Sequence, residues 1–235
     1  MPHPGPTTRP NTEPNTGPNT GPNKPNTEPI RMPELMSHDR ADLDRFLDGV
    51  VLAHVAFVDD AGAPAVVPTA VARWGDRLVA HGSTGSRWMR QVARGGPVAV
   101  SIAAIDGIVV ARSAFESSLI YSSAVLFGSF VVLAGEERAE ALDVLTERLL
   151  PGRTDEVRPP TTREIAATMV LAMPIAEWSL RISDDWPEDA EDDVAGSAWA
   201  GQLRFGAPTA TPFAAPDLRP GVPVPASVAA VRGVR

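Results

Sequence analysis

Apolar residues along this chain fall into short runs separated by turn-forming residues. Val50 to Val58 is almost continuously apolar, and Asp59-Asp60-Ala61-Gly62 interrupts it with residues that favour a turn. Pro64 to Trp74 reads as a second strand, Gly75-Asp76 as a tight turn, and Arg77 to His81 as a third strand. Together they make a meander of hairpins. Pro97 to Ile105 and Ile108 to Arg112 read as strands on either side of an Asp106-Gly107 turn. Ser123 to Ala134 reads as a long strand with a bulge or bend at Gly128, and Val170 to Ile182 as a late strand. Helical periodicity is confined to four places. A helix capped by Ser37 stops at Gly49, and a short one covers 84–94. A third runs from Glu136 to Leu150 on a stripe of Ala141, Leu142, Leu145 and Leu149, and a fourth covers 161–169 behind Thr161 or Thr162. Six or more strands in hairpins with few helices predict a mainly β protein, a closed or split β-barrel with helical additions. The chain lacks the βαβ alternation of a Rossmann sheet.

Composition narrows this to part of the chain. Of 24 prolines, ten lie in 1–33 and six after 206, leaving eight for the 173 residues between. Residues 10–29 repeat Pro-Asn-Thr without a large apolar residue, so ordering them would have no burial to offset its entropy. The expected organisation is a disordered arm over 1–33, a folded domain over 34–206 and a flexible Pro/Ala-rich tail over 207–235. Cysteine is absent, which removes disulfides and thiolate metal sites. No apolar run reaches membrane-spanning length, and a cytoplasmic protein is expected. The net charge of −8 argues against a nucleic-acid footprint. Lys24 is the only lysine and lies in the arm, so the domain holds no Schiff-base lysine.

The segment richest in chemistry is His81-Gly82-Ser83-Thr84-Gly85-Ser86-Arg87, where a strand gives way to a helix. Glycines admit a phosphate to the backbone, the hydroxyls of Ser83, Thr84 and Ser86 donate to it, and Arg87 adds a charged fork. The segment is neither a P-loop nor a nucleophile elbow. Arg90 and Arg94 share a face with Arg87 but lie too far along the helix to reach the same phosphate. Of the other histidines, His54 reads as a hydrogen-bonded residue inside the barrel, with haem ligation a lesser option. The acidic stretch 183–193 lacks calcium-loop spacing and reads as a solvated loop. No histidine spacing suggests a metal site. Trp178, Trp186 and Trp199 are expected in the core or at an interface.

Four stretches together resemble the FMN-binding split barrel of the pyridoxamine 5′-phosphate oxidase-like superfamily, more narrowly its flavin-nucleotide-binding group related to nitroimidazole-resistance proteins. They are Val66-Val67-Pro68-Thr69, HGSTGSRWMR at 81–90, Asp106 to Phe115 leading to Tyr121-Ser122-Ser123 and Phe127-Gly128, and Trp199-Ala200-Gly201. The resemblance implies a homodimer with FMN rather than FAD in clefts at the subunit interface. It implies that Ser86 and Arg87 hold the phosphate and that His81, Gly82 and Ser83 run past the ribityl chain. By the same resemblance, Pro68, Thr69 and Ala70 lie against the flavin ring, and Ser122 and Ser123 come from the partner. The implied function is an FMN-dependent oxidoreductase acting on a small organic molecule. A non-catalytic flavin- or haem-binding sensor and a deazaflavin-using enzyme are its rivals. Trp88 replaces the lysine that follows Ser-Arg in the oxidases, and the oxidases' substrate-binding arginine and histidine find no match, so pyridoxamine phosphate oxidation is not expected.

Overall fold

A computed structural model describes residues 33–206 and 210–231. All but one residue of the arm expected over 1–33 lies outside them. A 3-10 turn (Pro33–Leu35) leads into β1 (Met36–Ser37), α1 (Arg40–Gly49), β2 (Leu52–Val58), β3 (Pro64–Trp74), β4 (Arg77–Ser83), α2 (Arg87–Val92), β5 (Val98–Val110) and β6 (Ser118–Gly128). Then follow β7 (Val131–Val132), α3 (Gly135–Leu149), α4 (Thr162–Ala167), β8 (Thr168–Pro174), β9 (Glu177–Ser183), α5 (Glu191–Val194), β10 (Gly201–Arg204) and α6 (Ala226–Ala229). No helix among the described residues is long and apolar enough to cross a membrane.

The strands form one antiparallel sheet in the order β1-β9-β6-β5-β2-β3-β4-β8-β7, with β10 pairing β5. It is the expected split β-barrel with helical additions. The long strand β3 bends the sheet on itself: its first part pairs β2 and its last part pairs β4. The main core lies inside the bend, where Leu43 and Leu47 of α1 and Met89 and Val92 of α2 meet Val55, Val71, Ala80, Val100, Leu126 and Leu171. A smaller core on the other face puts Ala141 and Leu145 of α3 on Ala72, Val79, Val170 and Ala172.

Several local expectations are corrected. The cap of α1 is Asp39, whose carboxylate accepts from the Ala41 N–H at 2.8 Å, while the Ser37 hydroxyl donates to Asp42 at 2.6 Å. Helix α2 starts three residues late because the Thr84 N–H donates to the Ala167 carbonyl and the Ser86 N–H to the Ser83 carbonyl. Leu149 is 40% exposed and drops out of the α3 stripe. The apolar run 170–182 is two strands, β8 and β9, turning where the Ile175 N–H donates to the Asp76 carbonyl at 2.8 Å. Gly128 ends β6 rather than bending it, and a Cβ there would lie 3.0 Å from the Met173 side chain. His54 is exposed on the outer face of β2 rather than inside the barrel.

Asp106-Gly107 is a bulge within one strand rather than a hairpin turn. The pairing of β5 with β6 steps from Ile105↔Tyr121 to Gly107↔Ile120, leaving Asp106 extra. Strand β10 crosses so close that a Cβ on Gly107 would lie 2.4 Å from the Leu203 carbonyl oxygen. In the stretch expected as a flexible tail, α6 places Ser227 against Glu156, whose carboxylate accepts from the Ser227 N–H at 2.9 Å and from its hydroxyl.

Gly107→Ala should therefore force β10 off β5 and lower stability by about 1–3 kcal/mol, the usual cost of overpacking. Urea denaturation measures this, and an unchanged midpoint would contradict the close approach.

Candidate functional site

Strand alternation decides what each β4 residue faces. Ala80 opposes Val71 and both enter the main core, while Val79 opposes Ala72 and both enter the smaller core. One step further, Gly82 faces inward, where a Cβ would sit 3.3 Å from Met89. His81 then points to the same side as Val79, beside Val170 and under α3. Ser83 ends the strand opposite Thr168.

In the 83–87 turn, expected from sequence as an anion cradle, the Thr84 N–H donates to the Ala167 carbonyl and the Ser86 N–H to the Ser83 carbonyl, so these amides are already spent within the chain. The Gly85 N–H donates to the Ser83 hydroxyl at 3.1 Å, and the Arg90 N–H, at 3.2 Å from the Ser86 carbonyl, closes the first helical bond. Ser86 occupies the cap position of α2 but makes no side-chain capping bond, so its hydroxyl and the first-turn amides have no capping partner in the helix. Arg87 is exposed and has no hydrogen-bond or ion-pair partner among the described residues. Arg94, by contrast, is held by Asp60 at 2.5 Å and Gln91 at 3.2 Å.

On the α3 side of β4 lies an open cavity of about 660 Å³ bounded by α3, α4 and the 154–160 segment. The His81 ring lines it, and its Nδ1 is buried with no hydrogen-bond partner. Burial pushes the His81 pKa below the ordinary histidine value. The wall is tied by carboxylates. Glu147 accepts from the Thr154 hydroxyl and N–H and from the Gly152 N–H, which holds its carboxyl below the usual range. Glu164 takes a double hydrogen bond from Arg158 at 2.7 and 2.8 Å and closes a capping box with Thr161. These contacts, Arg158 foremost, hold the Glu164 carboxyl down at about 2.

The remaining residues divide by face. On β3, Pro68 and Ala70 lie on the outer face with His54 and Leu52, their partners across the pair, while Thr69 points inward opposite Ala53. Ser122 and Ser123 are not brought to the cradle within one chain. Strands β5, β2 and β3 lie between them in the sheet order. The outer face carries Leu52, Val66, Ile105, Leu119 and Leu203, each 45–61% exposed. The solvated reading of 183–193 fails at Asp189, which has no exposed side-chain surface and takes the Arg112 N–H at 2.7 Å and its guanidinium at 2.8 Å. Trp178 packs on the main core, whereas Trp186 and Trp199 are 69% and 68% exposed. Sequence reasoning missed the cavity, because its walls come from α3, α4 and a loop that carry no local ligand motif.

The family model for pyridoxamine 5′-phosphate oxidase matches residues 39–182. Among solved structures, the chain is similar to the FAD and heme binding protein from Mycobacterium smegmatis, with 48% identity and a TM-score of 0.81 over 85% of this chain and 98% of that one. It is also similar to the flavocytochrome Anf3 from Azotobacter vinelandii, with 32% identity and a TM-score of 0.81 over 88% and 96%. A putative 5-nitroimidazole antibiotic resistance protein from Bacteroides thetaiotaomicron shares the fold at 18% identity and a TM-score of 0.53, over 63% of this chain and 86% of that one. No curated protein matches the chain.

The Glu164 contacts carry a pH dependence. Its carboxyl is lowered in the fold from the ordinary 4.5 to about 2, so its contribution is complete above 4.5 and is lost as pH falls towards 2. An NMR titration of the Glu164 carboxyl carbon should show a midpoint near 2, and a midpoint near 4.5 would mean that the Arg158 clamp does not form.

Proposed function

This chain belongs to the pyridoxamine 5′-phosphate oxidase family, and from that membership we propose that it is a flavin- and haem-binding redox protein that works as a homodimer. The observation that carries the reading is the 48% identity with an FAD and heme binding protein across 98% of that protein's length. The flavocytochrome likeness at 32% identity supports the same pair of groups.

The flavin's phosphate is assigned to the 83–87 turn. Ser83, Thr84 and Ser86 offer hydroxyls, and Arg87 offers an unspent guanidinium. Strand β3 at Pro68–Ala70 supplies backbone for the edge of the ring, and the backbone at His81 and Gly82 flanks the sugar chain. A cradle of this kind reads a phosphoryl group that FMN and FAD share. The FMN implied by the sequence resemblance and the FAD of the 48%-identical relative therefore fit it equally, and the relative tips the choice to FAD. A bound flavin supplies one- and two-electron transfer, while the protein's part is to place it, set its electrostatics and keep water from it.

The second copy is assigned to the outer face of the sheet. Its exposed Leu52, Val66, Ile105, Leu119 and Leu203 form an apolar surface of the kind soluble monomers keep small. Of the two serines that the family resemblance assigns to the partner's cleft, Ser123 opposes Ala103 on this outer face, while Ser122 opposes Ala104 on the inner one. The redox partner is a small organic molecule. Turnover of an acceptor after reduction of the flavin separates an oxidoreductase from a non-catalytic sensor.

Two measurements test this reading. Arg87→Ala should weaken flavin affinity by about 10- to 150-fold, the equivalent of one charge-assisted hydrogen bond of about 1.5–3 kcal/mol. Titration of the apoprotein checks it, and unchanged affinity would remove Arg87 from the site. The purified chain should run at twice 24.8 kDa by light scattering. Ile105→Asp should convert it to monomer, and a dimer that survives that change uses another face.

A further inference from the structure

We propose that α6 is a latch: docked on Glu156, it holds the 152–160 segment as one wall of the open cavity beside β4, and its release lets that wall move out and widens the cavity. The latch acts whatever the cavity holds, so it does not depend on the flavin and haem readings. Residues 210–224 are exposed throughout, yet Ser227 behind them is only 3% exposed. A helix of four residues, Ala226–Ala229, has too few hydrogen bonds to hold itself, so its order comes from what it docks on. Its cap residue Pro225 gives no side-chain bond. The Glu156 carboxylate stands in from 71 positions away, accepting from the Ser227 N–H at 2.9 Å and from the Ser227 hydroxyl. The buried serine is thereby paired through both of its donors.

The wall has anchors at its two ends. Its start is pinned to α3, because Glu147 accepts from the Gly152 and Thr154 N–H groups and from the Thr154 hydroxyl. Its end is pinned to α4 by the two hydrogen bonds from Arg158 to Glu164. Between these anchors Glu156 is tied locally to Arg153, whose carbonyl takes its N–H at 3.1 Å and whose guanidinium reaches its carboxylate at 3.3 Å. Ser227 is its one tie to a distant part of the chain among the described residues. Val157, the next residue, lines the cavity together with Thr154 and Arg158. The latch therefore acts at the middle of the wall, where the anchors to α3 and α4 do not.

The test exploits the absence of cysteine from the chain. In the full-length protein, Thr146→Cys places a single thiol in the cavity wall on α3, and a separate Ala61→Cys variant places one on the exposed β2–β3 turn as a control. Adding Ser227→Asp, whose carboxylate repels Glu156, should speed alkylation of the Thr146→Cys thiol by iodoacetamide about 10-fold or more, the factor that one lost hydrogen bond to a charged group gives. The Ala61→Cys thiol should react at an unchanged rate. Amide exchange of residues 154–158 should rise by the same factor, while that of β4 and β8 stays at the wild-type rate. Glu156→Ala should act like Ser227→Asp, and Glu156→Gln, which keeps an acceptor for Ser227, should leave both rates slow. The proposal is overturned if alkylation of Thr146→Cys is unchanged in Ser227→Asp and Glu156→Ala, since the wall then stands without α6. It is overturned equally if β4 and β8 exchange faster as well, which would make α6 a support of the whole fold. Residues 154–158 that loosen while the thiol stays slow would also overturn it, because the segment would then move without opening the cavity.

Discussion

The sheet is apolar on both faces, and one chain carries too few helices to cover both. On the inner face α1 and α2 close the main core completely, with Leu43, Met89 and Val100 without exposed surface. On the outer face α3 covers only the end formed by the last part of β3, β4 and β8. The rest of that face keeps Leu52, Val66 and Ile105 at about half exposure, next to His54 and Pro68. Burial of such surface is the main favourable term in folding and association, so the uncovered part drives pairing with another surface. The flavin and the second copy are proposed at this face because it is the surface left unfinished.

Strand β4 is where this constraint becomes a site. Its alternate residues face two different interiors, and it leads into a turn where the Ser86 hydroxyl makes no capping bond and the Arg87 guanidinium has no partner among the described residues.

Arginine serves mainly as a long-range tie in this chain. Arg40 links α1 to the Ile175 carbonyl and Asp76, Arg73 links β3 to Asp48, Arg77 links β4 to Glu137, and Arg112 anchors Asp189 from 77 positions away. The planar fork makes such bidentate ties where a lysine would make a point contact. Most of the exposed pairs contribute little individually. The Arg112–Asp189 pair differs, because Asp189 has no exposed side-chain surface and would be left buried and unpaired if Arg112 were lost.

Much of the fold is written locally. The Asp59–Gly62 and Gly75-Asp76 turns, the full extent of β3 and the helix carrying Ala141 and Leu145 all follow from side-chain periodicity and turn chemistry that act within a few residues. The resemblance carried by HGSTGSR and the Asp106–Phe115 stretch likewise placed the chain in its fold family. Asp106-Gly107 was ambiguous, because the same two residues serve a hairpin turn and a bulge, and the choice belongs to β10, which arrives from about 95 residues later. The break after Pro174 carries no glycine signal, since a carbonyl on the β3–β4 turn satisfies Ile175 there. The burial of Asp189 inside an acidic stretch depends on a distant arginine. What the amino acids determined alone was the mainly antiparallel β character of the fold and the runs that become β2, β3 and β4. Which face His81 serves, and that α3, α4 and the 154–160 segment bound an open cavity beside it, only the tertiary structure decided, because a cavity is made by elements that meet in space and none of them carries its shape in its own sequence.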